Sequence, residues 1–267
     1  MSPRRPSAQK EKSADSIKFL GTAGARFVMI KQLRASGGLW MRANNTNVIV
    51  DPGPGSIVRC ASARPKLDPT KLDAIILTHR HLDHSNDVNV MIEAMTEGGF
   101  KKRGTLFAPA DALEQDSLVL HHTRSSVGSI ELLKEKTDYK AGSFSFSAGI
   151  RNSHPVETYG ITFVMNNKKV ALIGDTSLTP PLLEFYKGFD VVILNVVFYE
   201  PRPAVQHLSF DDAKEIISVL KPPTAILTHF GMTMLAAKPH YLIEGLNRQF
   251  GAHTKVIAAS DGMTFSP

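Results

Sequence analysis

The sequence predicts an α/β fold of four layers, an αββα sandwich in which two sheets face each other and helices cover their outer sides. Two observations predict it. Three apolar stretches, residues 74–77, 170–173 and 225–227, read as buried strands, and each runs into a residue able to bind a metal: His79, Asp175 and His229. Strands that deliver ligands at their C-terminal ends suggest one composite site between two sheets. The second observation is a strand–helix–strand rhythm through both halves of the chain, which puts the helices outside those sheets.

The elements follow in order. Residues 17–20 form a strand, and Gly21 and Gly24 bound a turn. Residues 38–42 and 47–50 are strands on either side of Asn44-Asn45, a good hairpin turn. Asp51-Pro-Gly-Pro-Gly55 ends the second, and residues 57–63 form a short helix. The strand 74–77 leads through a His-rich loop to a helix at 88–95, closed by Gly98-Gly99. Pro109 stops a strand at 106–108, and 110–140 holds either two short helices or a helix and a strand. Phe144 and Phe146 alternate with serine, as in a half-buried strand. Residues 161–165 and 170–173 pair around Asn166-Asn167, and 191–194 is a buried strand. Residues 210–220 are helical, with Asp211 and Asp212 in the first turn, where the helix dipole favours them. A strand at 225–227, a helix at 241–250 and a strand at 256–258 complete the chain.

Composition sets limits on function. The 267 residues are 42% hydrophobic, enough for one large domain with a core. The 31 Lys and Arg against 25 Asp and Glu leave +6 with His neutral, which permits an anionic partner without requiring one. The single cysteine, Cys60, excludes an internal disulfide and an all-thiolate zinc site. No apolar run nears the ~18 residues of a membrane span, so no membrane association is expected. Residues 1–16 are polar and lack the apolar core of a signal peptide. They read as a flexible tail before one domain at 17–267, and the cytoplasm is the expected location.

The strongest feature is His79-x-His81-x-Asp83-His84. Imidazole and carboxylate suit zinc and other first-row divalent ions. On a tight loop after a strand, His79 and His81 face one way, while Asp83 and His84 turn toward a second position. One loop cannot complete two sites, so further ligands are needed at strand ends. His154, Asp175 and His229 are the candidates.

In that order, these residues resemble the metallo-β-lactamase superfamily, over residues 17–265. The resemblance implies the four-layer metallo-β-lactamase fold and two metals. It gives His79, His81 and His154 to one ion and Asp83, His84 and His229 to the other, with Asp175 bridging both. The cofactors it implies are two divalent ions, zinc first, with manganese or iron as alternatives.

Within the superfamily, His207-Leu-Ser209 before a helix is similar to the His-Ser/Thr segment of ribonuclease Z-like members, which sits beside the scissile phosphate. The register departs from theirs by one intervening residue. Asp83 and His207 are the candidate catalytic residues. The 20 residues from Pro155 to Gly174 are filled by a strand pair, leaving no room for a tRNA-gripping arm. The short form looks more like the phosphodiesterase of the carbon–phosphorus lyase pathway. Arg26, Lys31 and Arg34 are candidate substrate-binding residues at the mouth of the site.

These readings predict hydrolysis of a small cyclic or nucleotide-like phosphodiester by a metal-bridging hydroxide. Lactone or thioester hydrolysis at the same metals is the alternative. The expected partner is a small anionic substrate, and a homodimer is left open. A non-enzymatic nucleic-acid binder is disfavoured, because the chain has no basic helix and no aromatic-interleaved basic stretch.

Overall fold

The structure is a computed structural model that describes residues 15–114 and 116–267. Most of the expected tail, 1–14, lies outside the described residues, and its last residue, Ser16, is already paired with Arg42 in the first strand. The first half runs β1 (Ser16–Phe19), α1 (Ala25–Ile30), β2 (Leu39–Ala43), β3 (Thr46–Val50), α2 (Ser56–Ser62), β4 (Ala74–Ile76), α3 (Leu82–Ser85), α4 (Val88–Met95), β5 (Arg103–Ala108), α5 (His121–Arg124) and β6 (Val127–Leu132). The second continues through β7 (Asp138–Ala141), β8 (Phe144–Arg151), β9 (Tyr159–Met165), β10 (Lys168–Leu172), α6 (Pro180–Phe185), β11 (Val191–Phe198) and β12 (Leu208–Ser209). It ends with α7 (Phe210–Leu220), β13 (Thr224–Thr228), α8 (Met232–Ala236), α9 (Pro239–Phe250), β14 (Lys255–Ala258) and β15 (Thr264–Phe265).

One sheet has the order β15-β1-β2-β3-β4-β5-β6 and the other β14-β13-β11-β10-β9-β8-β7, with β12 paired to β11. Each sheet is antiparallel on its hairpin side and parallel where helices cross over. In the first, β3 to β6 are parallel; in the second, β10, β11, β13 and β14 are. Parallel strands align their C-terminal ends, and ligands of α/β sheets gather there.

Three apolar layers hold four structural layers. Phe19, Val48, Ile76 and Phe107 of the first sheet meet Phe144, Phe163 and Ile193 of the second in the centre. Ile75, one residue from Ile76, points outward and packs with Leu77 against Val88, Met91, Ile92 and Met95 of α4. The i, i+3, i+4, i+7 spacing of those four gives α4 its buried stripe. On the other side, Val192, Leu194 and Leu227 pack with Ile216 and Ile217 of α7 and with Ile243 and Leu246 of α9. Ser209 and Asp212 cap α7 reciprocally, each side chain bonding the other's backbone N–H.

The hairpins form as the asparagine pairs predict. Asn44, Asn45, Asn166 and Asn167 all have positive φ, the conformation a two-residue turn of this hand requires. Residues 110–140 contain a 3₁₀ turn, α5, β6 and most of β7, so they hold two strands where the expected arrangements had none or one. β6 buries only Val127, so it carries no alternation to read. The short helices α1, α6 and α8 escape a periodicity reading because each buries a single residue. No helix among the described residues is long and apolar enough to cross a membrane.

Candidate metal centre

Each ligand sits just beyond a strand end or in a loop that the two sheets hold in place. His79 follows β4, Asp175 follows β10 and His229 follows β13, so both sheets contribute. α3 turns Asp83 and His84 back toward His79, and the β8–β9 loop supplies His154. Ligand atoms of His79, His81 and His154 lie within 4.8 Å of one another, as do those of Asp83, His84 and His229. Within the trios, His154 Nε2 is 3.1 Å from His81 Nδ1, and His229 Nε2 is 2.8 Å from His84 Nε2. Asp175 stands between them: its Oδ2 is 3.7 Å from His79 Nε2 and 3.4 Å from His84 Nε2. The seven expected ligands are therefore brought together, with Asp175 between the two trios.

Hydrogen bonds around the trios fix which nitrogen each ring presents. His84 donates its Nδ1–H to Asp51 Oδ2 at 2.9 Å. Thr78 donates its hydroxyl to the same oxygen, so its own oxygen accepts the Nδ1–H of His79 at 3.1 Å. His154 donates Nδ1–H to the Gln206 carbonyl at 3.0 Å. In all three rings Nε2 is the nitrogen left facing inward, and His79 Nε2 is buried with no hydrogen-bond partner. Such a donor set suits first-row divalent ions.

Charge states agree. Burial would raise Asp175, but His229, His84 and His207 hold it well below the usual carboxylate range. Burial likewise opposes ionisation of Asp83, and His84 and His229 overcome it. Burial pushes His79 well below its ordinary value, and His81 is lowered for the same reason. His84 runs the other way, because Asp175, Asp83 and Asp51 outweigh its burial. Ionised carboxylates beside the neutral imidazoles of His79 and His81 are what metal binding requires.

His207 lies at the edge of this set. Its Nδ1 is buried, unpartnered and 3.5 Å from Asp175 Oδ2, and its ring meets that of His154 at 5.1 Å. The Gln206 carbonyl bonded to His154 and the β12–β11 pairing hold it there. Its ligand atoms also group with those of His154 and Asp175. Arg34 is half-buried and tied to Thr22 Oγ1 at 3.1 Å, whereas Arg26 and Lys31 are exposed on and just after α1. None of these three touches the ligand trios.

Three contributors were missed. Asp51 ends β3 as the other ligands end their strands, so the same strand-end rule points to it. Asn195 is the one polar residue in the apolar run of β11, and it donates to Asp175 Oδ1 at 2.7 Å. Gly24 lies against His229: a Cβ there would meet the His229 carbonyl oxygen at 1.9 Å and Nδ1 at 2.6 Å. No sequence pattern marks that contact.

The sequence profile of the Beta-lactamase superfamily domain matches residues 46–230. An uncharacterized protein of Methanocaldococcus jannaschii is 30% identical over 229 residues, which are 82% of this chain and 84% of that one. The probable metallo-hydrolase YhfI of Bacillus subtilis is 24% identical over 201 residues, 73% of this chain and 80% of its own. The crystal structure of YhfI, a metallo-β-lactamase fold protein, superposes with a TM-score of 0.74 at 20% identity, over 94% of this chain and 98% of that one. That of a diphosphatase from the PhnP family does so with a TM-score of 0.71 at 19% identity, over 95% and 98%.

Proposed function

The chain belongs to the β-lactamase superfamily, as a metal-dependent hydrolase of the metallo-β-lactamase fold, and from that premise we propose that it hydrolyses small cyclic or nucleotide-like phosphodiesters at two divalent ions, zinc first. The observation that carries this reading is the position of His207, 3.5 Å from the Asp175 carboxylate and outside both trios. It is where a substrate phosphoryl group beside the ligands would be met. The fold is shared with a diphosphatase from the PhnP family, so it accommodates phosphorus-centred hydrolysis in that protein. β9 and β10 occupy the interval in which a tRNA-gripping arm would be inserted.

His79, His81 and His154 would hold one ion and Asp83, His84 and His229 the other, with Asp175 shared. Bound there, the ions would supply an activated water and Lewis acidity at the scissile group. The chain's own groups do the rest. Asp51 and Thr78 lock the ring orientations. Asn195 holds Asp175 in place. Asp83, ionised, contributes charge as well as a ligand atom.

Burial pushes His207 down to about 4, so it rests as a neutral ring. This favours a hydrogen-bonding contact with the phosphoryl group over protonation of the leaving alkoxide. The same observation keeps a thioester reading in view, since a thiolate leaves without a standing imidazolium, whereas the alkoxide of a lactone would take its proton from another source.

Metal quantification with a substrate panel separates these readings. Two equivalents of metal with turnover of bis(p-nitrophenyl) phosphate is the expected result. Lactone or thioester turnover without phosphodiester turnover would replace the first reading by the second. A protein that binds no metal would sink both.

A further inference from the structure

α1 is bracketed by the two segments that hold the second trio. It begins after Gly24, whose N–H donates to the Phe230 carbonyl at 3.0 Å, next to His229. It packs on α3, which carries Asp83 and His84. Only Val28 of its six residues is buried. Phe27 is 65% exposed, Ile30 67% and Leu33, three positions further, 51%. Leu82, between His81 and Asp83, is 57% exposed. Exposed apolar residues occur elsewhere too, such as Phe100, Tyr241 and the pair Ile130 and Leu132 on one face of β6, but not on an element flanked by ligand-bearing segments. Exposed apolar side chains on a helix flanked by two ligand-bearing segments mark a surface that something covers.

The charge beside them says what. Arg26 and Lys31 are exposed, and Arg34 is pinned next to Phe230 with its guanidinium 5.9 Å from the ring centroid. No Asp or Glu occurs between Asp15 and Asp51. A second copy placed on this face by a two-fold axis would set like charges against each other. A membrane surface calls for more apolar area than one six-residue helix provides. A small anion with an apolar part satisfies both features.

We propose that α1 is a substrate-recognition ridge: the site takes an anionic ester with an apolar substituent, which lies along Phe27, Ile30 and Leu33 while Arg26 and Lys31 attract its charge. The inference rests on the phosphodiester reading and narrows it to apolar-substituted diesters.

The test uses full-length protein, the double variant Phe27→Ser/Ile30→Ser, and two diesters, methyl and octyl p-nitrophenyl phosphate. Wild type should prefer the octyl ester in kcat/KM by at least about tenfold, through KM, and the variant should bring the ratio to within about twofold of one. Octyl phosphate below its micellar concentration serves as a binding probe independent of turnover, and the variant should bind it at least about tenfold more weakly. Arg26→Ser/Lys31→Ser should weaken the same binding and reduce its salt dependence. Equal ester ratios and equal probe binding in wild type and the Phe27/Ile30 variant would overturn the ridge. So would a wild-type dimer that this variant renders monomeric, or wild-type flotation with phosphatidylglycerol vesicles that the variant abolishes. If neither ester is hydrolysed while probe binding still depends on Phe27 and Ile30, the ridge stands and the phosphodiesterase reading falls. Circular dichroism of both variants checks that each is folded.

Discussion

Asp51 and His84 are joined by a 2.9 Å hydrogen bond, and the same carboxylate oxygen accepts the Thr78 hydroxyl that orients His79. One residue thereby sets the ring of a histidine in each trio. Asp51 reaches both from a backbone with φ of +52°, which Asp and Asn tolerate better than other side chains. Asp51→Asn therefore keeps the backbone and the volume but cannot accept both hydrogen bonds in the same way. Metal affinity should fall by about 10–100-fold, measured by competition with a chromogenic chelator. Unchanged affinity would show that the carboxylate does not govern ring orientation.

Asn195 makes a narrower prediction. It is buried in β11, and its amide donates to Asp175 Oδ1 at 2.7 Å, leaving Oδ2 toward the two trios. In Asn195→Ala the carboxylate can rotate, so kcat should fall about tenfold while the metal content of the purified protein stays near that of wild type. Full activity in this variant would mean that the imidazoles alone hold Asp175.

Gly24→Ala probes the contact between the first turn and His229. The added Cβ collides with backbone, the His229 carbonyl oxygen, and has no flexible neighbour to displace. His229 itself has φ of +58°, so its backbone has little freedom to yield. The variant should lose about 1–3 kcal/mol of stability in denaturant titration. It should also release one metal equivalent more readily than the other, since only the second trio contains His229. Loss of both equivalents together would mean that the damage is global.

The fold and most of the site were legible because the signals are local. A run of three or four apolar residues followed two positions on by His or Asp reads as a buried strand presenting a candidate ligand, as at β4, β10 and β13. Four-layer packing follows once such strands alternate with helices. The supporting residues are harder to read because their meaning lies in distant partners. Asp51 acts on His84, 33 residues away, and Gly24 is constrained by His229. α1 was invisible for another reason: its apolar residues face outward, so no core periodicity marks it as a helix. Arg26 and Lys31 were singled out from charge alone, while the apolar side chains between them carry the stronger structural signal.

Cys60 yields a pH prediction with a definite sign. Burial, then the Asp87 charge, pushes its thiol up to about 12. At pH 8 only about one thiol in ten thousand would be ionised, so iodoacetamide should not label the native protein but should label it in denaturant. The raised value favours the neutral thiol in the folded state. Its contribution is complete below the unfolded value near 8.5 and is lost as pH rises toward 12. Between pH 9 and 11, wild type should lose up to about 1.4 kcal/mol per pH unit relative to Cys60→Ala. Parallel stability curves for the two proteins would refute the shift.

Asp175→Ala tests the shared carboxylate most directly. Among the described residues, Asp175 is the one acidic side chain with an oxygen within 4 Å of a histidine nitrogen from each trio, His79 in one and His84 in the other. His229 and His207 also approach it, at 3.6 and 3.5 Å. Removing it leaves five of the six trio ligands as imidazoles, with only Asp83 to balance two dications. The variant should retain at most one tightly bound equivalent and lose at least about a hundredfold in kcat, read from metal analysis and hydrolysis on the same sample. A variant that keeps both metals with full activity would show that the two trios act independently of Asp175.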